Sequence, residues 1–158
     1  MAHERLHERL NAYLAKKGLR HTSQRKVIAD AFFGGPNHIS IEELLARVRK
    51  EDARVGYATV YRTLKLFTEC GLAAERNFGS GPSRYELSDE STDQHHDHLI
   101  CLECGGITEF HDPAVEKAQE SIARRYGFRV RSHKHEMYGV CQACQQADEA
   151  PRARPRRA

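Results

Sequence analysis

Two cysteine pairs with the same spacing, Cys101-x-x-Cys104 and Cys141-x-x-Cys144, are the densest chemical signal in this 158-residue chain. Thiolates so spaced suit a tetrahedral zinc ion, and four of them fill its coordination sphere and leave no place for water. The ion predicted here is structural Zn²⁺, in preference to an iron–sulfur centre or a redox pair. The 36 residues between the pairs exceed the usual zinc-ribbon gap, so the ion would tie a whole strand–helix–strand unit together. The fifth cysteine, Cys70, stands alone and reads as a small core hydrophobe at a helix end.

Just upstream lies His95-His96-Asp97-His98, with Glu86 before it and Glu109, Glu116, His133 and His135 after it. Imidazole and carboxylate together select borderline ions such as Fe²⁺, Mn²⁺, Co²⁺, Ni²⁺ and Zn²⁺. In an extended segment side chains alternate, so His96 and His98 would point one way and His95 and Asp97 the other. One four-residue run could then feed two sites. The same residue types also build zinc hydrolases, but Gly139 stands where His135-Glu136 would need its second histidine, and neither P-C-x-x-C nor G-x-S-x-G occurs. An enzyme is therefore not expected. A zinc-ribbon interaction or RNA module is the other alternative, and it would not call for the basic helix face described below. His3, His7, His21, His111 and His135 read as surface or packing residues.

The elements that must position these groups are legible from periodicity and caps. Leu6, Leu10, Tyr13 and Leu14 have helical spacing and Gly18 ends the run. Thr22 predicts the N-cap of a second helix with Val27, Ile28, Ala31 and Phe32 inside, stopped by Gly34-Gly35-Pro36-Asn37. Ser40 and Glu43 form a capping box for a third helix to about Lys50. A fourth runs from Tyr57 to Cys70, with Val60, Thr63, Leu64 and Phe67 inward and Ala58, Arg62 and Lys65 outward, Tyr61 beside them. Leu72–Phe78 and Arg84–Leu87 then read as a β-hairpin, which makes residues 1–87 a winged helix-turn-helix domain.

Residues 88–94 are polar and acidic and read as a linker. Over 95–148 strands are expected at His98–Leu102 and Ile107–Phe110, then a helix capped by Asp112-Pro113 with Val115, Ala118 and Ile122 inside, then a strand region over Phe128–Val140. Residues 149–158, rich in Pro and Arg, are expected to be a disordered basic tail. Charge follows this division: residues 1–87 carry a net +5, residues 88–150 a net −6, and the last eight add four arginines. A basic first half suits a polyanion, because each cation set on a phosphate releases counterions. There is no stretch of 18 apolar residues and the start, MAHERLHERL, is charged, so a cytoplasmic protein without membrane contact is expected.

Several motifs in order then resemble the ferric uptake regulator (Fur) family, from about Gly18 to Cys144: Gly18-Leu19-Arg20-x-Thr22-x-x-Arg25, His38-Ile39-Ser40-x-Glu42-Glu43-Leu44, Ala58-Thr59-Val60-Tyr61-Arg62-Thr63-Leu64, His95-His96-Asp97-His98-Leu99-Ile100-Cys101 and Tyr138-Gly139-x-Cys141. The fold class implied is α+β, an N-terminal winged helix-turn-helix domain plus a C-terminal α/β dimerisation domain with a four-cysteine zinc site. The resemblance implies a transcriptional repressor that grips palindromic A·T-rich operator DNA as a homodimer, or a tetramer, when a divalent ion is bound, and so controls metal-uptake genes. It implies a regulatory site of His38, Glu86, His96, His98 and Glu109, taking Fe²⁺ with Mn²⁺ or Zn²⁺ as substitutes, and a third site of His95, Asp97, Glu116 and His133. DNA contacts would fall on Arg20 in the minor groove and on Tyr61 and Arg62 in the major groove. Zinc-sensing and peroxide-sensing members are the alternatives. Glu109 weighs against peroxide sensing, since that branch usually has Asp there.

Overall fold

Helix ends in the first part of the chain are set by local hydrogen bonds that the residue types dictate. In the computed structural model, which describes residues 2–79, 81–88 and 96–149, α1 (Ala2–Lys16) stops where Gly18 takes φ 65° and the Leu19 N–H returns to the Leu14 carbonyl at 2.9 Å. The Thr22 hydroxyl accepts the Arg25 N–H at 3.2 Å and opens α2 (Ser23–Phe33). Ser40 and Glu43 close their capping box at 3.2 and 2.8 Å and open α3 (Ile41–Val48), which ends two residues short of the expected Lys50. Gly71, at φ 69°, lets the Leu72 N–H reach Phe67 O at 2.8 Å and closes α4 (Tyr57–Glu69).

The four helices converge on one apolar core. Leu10, Ile28, Leu44, Val48, Leu64 and Phe67 are fully buried in it, and Phe67 lies 5.7 Å from Phe32 and 5.5 Å from Phe33 between ring centroids. Each such side chain contributes about 1.5–3 kcal/mol by leaving water. Two short strands, β1 (Ala73–Arg76) and β2 (Arg84–Leu87), pair antiparallel with Ala73 opposite Leu87. Ile39 bonds Tyr85 through both its N–H and its carbonyl, and the buried Tyr85 ring pins this wing to the core. The first wing strand is shorter than expected, because Phe78 leaves the ladder and packs edge-on against the His38 ring at 5.5 Å.

The chain divides into two compact units, Met1–Asp93 and Gln94–Ala158. The second is a three-stranded sheet with β3 (Asp97–Cys101) in the centre, β4 (Ile107–Phe110) antiparallel on one side and β5 (Glu136–Gly139) parallel on the other. The crossover to β5 carries α5 (Pro113–Arg125), capped by Asp112, whose carboxylate accepts the Ala114 N–H at 2.8 Å. α6 (Gln142–Glu149) follows.

Three expectations change here. Only Glu136–Gly139 of Phe128–Val140 is strand, because only that stretch finds a partner edge on β3. α6 was not expected. The face of α5 carrying Val115, Ala118 and Ile122 is not inside: α5 buries none of its residues in this chain. Of the tail expected over 149–158, Glu149 instead ends α6; the rest of it, and the expected linker beyond Ser88, lie outside the described residues, and no helix among those described is long and apolar enough to cross a membrane.

Candidate metal centres and DNA-reading face

Cys101 ends β3 and Cys104 sits in the turn that follows, where Gly105 at φ 69° returns its N–H to the Cys101 carbonyl at 3.0 Å. A side chain at Gly106 would put its Cβ 3.2 Å from the Cys104 sulfur, so glycine there keeps the ligand clear. Cys141 follows β5, and Cys144 lies on α6 rather than at the end of a β region as the sequence suggested. The four sulfurs come together as free thiols, with Cys101–Cys144 at 3.9 Å and Cys104–Cys141 at 3.8 Å. Sulfurs bound tetrahedrally at about 2.3 Å to zinc stand about 3.8 Å apart, so the set fits that ion without rearrangement. The backbone N–H groups of Cys104 and Cys141 hold the Cys101 thiol down to about 6, while the sulfurs of Cys141 and Cys104 push Cys144 up to about 12. Sulfurs this close favour one negative charge among them, and an ion that takes all four as thiolates displaces the remaining protons.

Pleating sends β3 side chains to two sides. His96 and His98 share one, their ring centroids 5.0 Å apart, with Glu109 opposite His98 in the β3–β4 register and its Oε1 3.8 Å from His96 Nε2. Asp97, 1% exposed, faces the other way, where its carboxylate meets Glu116 from the first turn of α5 and His133, all ligand atoms within 4.8 Å of one another. His133 Nε2 and Glu116 Oε1 are 3.4 Å apart. Two nitrogen or oxygen ligands held tetrahedrally at about 2.1 Å stand about 3.4 Å apart, so this pair has the separation of groups that share an ion. His95 lies outside the described residues. His135, read from sequence as a surface or packing residue, belongs here: its Nδ1 is 3.5 Å from Asp97 Oδ2 and its ring packs on Phe110. The signal for it was the spacing of two from His133, which puts both on one side of an extended segment.

In the first unit His38 and Glu86 are both buried, with Nδ1 and Oε2 3.2 Å apart. His38 has φ 58°, a left-handed backbone that histidine adopts more readily than most residues. Arg84 secures this turn by donating to the His38 carbonyl at 2.9 Å and to Glu43 at 2.8 Å. Burial raises the Glu43 carboxyl, but the Ser40 N–H and the Arg84 guanidinium outweigh it and hold the group below its ordinary range. Arg76 Nε donates to the other Glu86 oxygen at 2.7 Å, a partner that sequence alone gave no reason to single out.

α4 presents Ala58, Tyr61 and Arg62 to solvent, Tyr61 being 42% exposed. Lys65 shares this outward side as expected, but its charge is paired: its Nζ binds Glu75 of β1 at 2.8 Å while lying 5.8 Å from the Tyr61 ring centroid. The Glu75 carboxylate keeps that ammonium charged and ties α4 to the wing. Arg20 is exposed, and its carbonyl accepts a hydrogen bond from the Arg25 guanidinium.

Residues 16–138 match the model of the ferric uptake regulator family. A ferric uptake regulation protein of Rhizobium leguminosarum bv. viciae is 45% identical over 131 residues, which span 83% of this chain and 90% of that protein. Among solved structures, the Helicobacter pylori ferric uptake regulator Fur, described as having three functional metal binding sites, is 31% identical with a TM-score of 0.80 over 90% of this chain and 93% of that one. A zinc-bound manganese uptake regulator is 45% identical with a TM-score of 0.71, over 84% of this chain and 98% of that one.

Proposed function

Because this chain belongs to the ferric uptake regulator family of transcriptional regulators, we propose that it represses metal-uptake genes by binding palindromic A·T-rich operator DNA as a homodimer when a divalent ion is held. Residues 1–87 read the DNA and residues 95–148 dimerise. The observation that carries the proposal is that each unit offers part of a coordination sphere: His38 and Glu86 in the first, His96, His98 and Glu109 in the second. An ion taken by both sets is fully coordinated at one angle between the units only, so it selects one spacing of the two winged helices in a dimer. Half-sites one helical turn or a multiple apart then fit them. Tyr61 and Arg62 would enter the major groove and Arg20 an A·T-rich minor groove, where narrowing concentrates negative potential.

Zn²⁺ at Cys101, Cys104, Cys141 and Cys144 would be structural, and Fe²⁺ the ion sensed. Mn²⁺ is the second reading, because relatives at the same 45% identity are named for iron and for manganese. The third site would use His95, Asp97, Glu116 and His133. The apolar residues that α5 and the following segment leave exposed, Ile122, Tyr126, Phe128 and Val130, favour the dimer contact, and the cytoplasm is the compartment expected for such a repressor. The test is operator affinity by gel shift after chelation and after anaerobic return of Fe²⁺ or Mn²⁺, for the full chain and for His96→Ala with His98→Ala. Metal-stimulated binding that the double variant loses while it stays a dimer is the expected result. Affinity indifferent to every ion would overturn the proposal, and the ion with the stronger effect decides between the two readings.

A further inference from the structure

Gln119 lies one turn after Glu116 on α5, and residues three apart share a helix face. Both line an apolar-walled cleft of about 470 Å³ together with His133. The amide oxygen of Gln119 is shielded from solvent and accepts no hydrogen bond. A buried carbonyl oxygen without a donor is destabilising, and such a group calls for a specific explanation, of which an ion is one. An amide oxygen is a hard donor of the kind that six-coordinate Mn²⁺ or Fe²⁺ accepts beside carboxylate and imidazole, whereas tetrahedral zinc with four other ligands has no place for it.

We propose that Gln119 Oε1 is a further ligand of the site formed by Asp97, Glu116 and His133, and that it biases this site toward ions of coordination number above four. The proposal rests on the reading of that trio as a metal site. It adds a neutral oxygen to an imidazole and two carboxylates, each able to bind through both of its oxygens, so it takes the donor count above four without adding charge. His135 stands behind the site, where its Nδ1 3.5 Å from Asp97 Oδ2 would orient the carboxylate, as groups behind metal ligands commonly do.

The experiment uses the full-length dimer carrying His96→Ala and His98→Ala, so that the regulatory site does not report, with the zinc of the four-cysteine site left in place. Co²⁺ is titrated and followed by calorimetry and by its visible ligand-field bands, which are weak for five or six ligands and intense for four. In this parent one Co²⁺ per chain with weak bands is expected. Adding Gln119→Leu should lower Co²⁺ affinity by at least about tenfold and convert the spectrum to the intense form, while Gln119→Glu, which keeps an oxygen donor and adds charge, should bind at least as tightly as the parent. Unchanged affinity and bands in Gln119→Leu would overturn the proposal, as would equal loss in both variants, the mark of a structural role. A parent that binds no Co²⁺, and behaves as Glu116→Ala does, would overturn the trio as a metal site and the proposal with it.

Discussion

Phe32, Phe33 and Phe67 of the first unit are at most 2% exposed, whereas Ile122, Tyr126 and Phe128 of the second stand at 53%, 77% and 72%. Among the described residues of the second unit the buried ones are Asp97, His98, Ile100 and Cys101, all on β3, and each of these but Ile100 belongs to a group of side chains that could hold an ion. One unit thus holds itself together by removing apolar surface from water, the term that dominates ordinary folding. The other buries too little apolar surface to do so by itself; on the proposed reading, ligated metal and a second copy would supply the rest. Sequence composition does not separate these two strategies, because both units contain Leu, Ile, Val and aromatic residues at helical and strand spacing. What separates them is whether the helices have one another to pack against.

The largest effect that would test this contrast comes from the sulfur cluster. Cys101→Ser should release zinc and unfold the second unit, since structural zinc sites of this type supply apparent binding energies of about 10–16 kcal/mol. Calorimetry should show the second unit's transition lost and that of the first unmoved, and a zinc-free variant with both transitions intact would break the comparison. Phe67→Ala should cost the first unit about 3–5 kcal/mol by opening a cavity beneath the ring stack. Its urea midpoint should fall while the zinc content of the sulfur cluster stays unchanged. Ile122→Glu with Tyr126→Glu should dissociate the dimer in sedimentation, each anchor being worth about 2 kcal/mol or more if it sits at the centre of the contact. A dimer that survives both charges places the contact elsewhere.

Smaller effects sharpen the contrast within the first unit. Ser40→Ala removes half of the capping box and should lower that unit's stability by about 1 kcal/mol, read from the same urea midpoint. Glu43 has its folded-state pKa depressed by the Ser40 N–H and Arg84 despite its partial burial. Its contribution is therefore fully present above the ordinary glutamate pKa and is lost as pH falls through the lowered value. The stability of Glu43→Gln should accordingly converge on that of the parent in acid, and a constant difference across that range would assign Glu43 another role.

The helices and wing of the first unit are legible in the sequence because each carries its own punctuation: Thr22, Ser40 with Glu43, Gly18 and Gly71 set ends by local bonds that the residue types state outright. The cysteine pairs and the alternation along β3 are legible for the same local reason. Periodicity cannot say against what an apolar face packs, so the stripe on α5 implies an interior that its own chain does not supply. α6 escapes notice because Gln142–Glu149 is mostly polar and shows no stripe of burial to read. Helical phase alone puts Lys65 on the outward side of α4, and only the placement of β1 reveals that Glu75 reaches it. Gln119 and His135 are hidden because an amide and one histidine among ten have no spacing rule of their own.

The parallel pairing of β3 with β5 has a consequence for how the protein is made. Cys141 is separated from Cys101 by 40 residues, so at translation rates of about 5–20 residues per second the first two sulfurs wait seconds for their partners. The winged helix, with mostly local contacts, can be complete before then. Zinc taken by the four sulfurs would therefore enter last, and a cell short of zinc would accumulate molecules whose first unit is folded while the second is not.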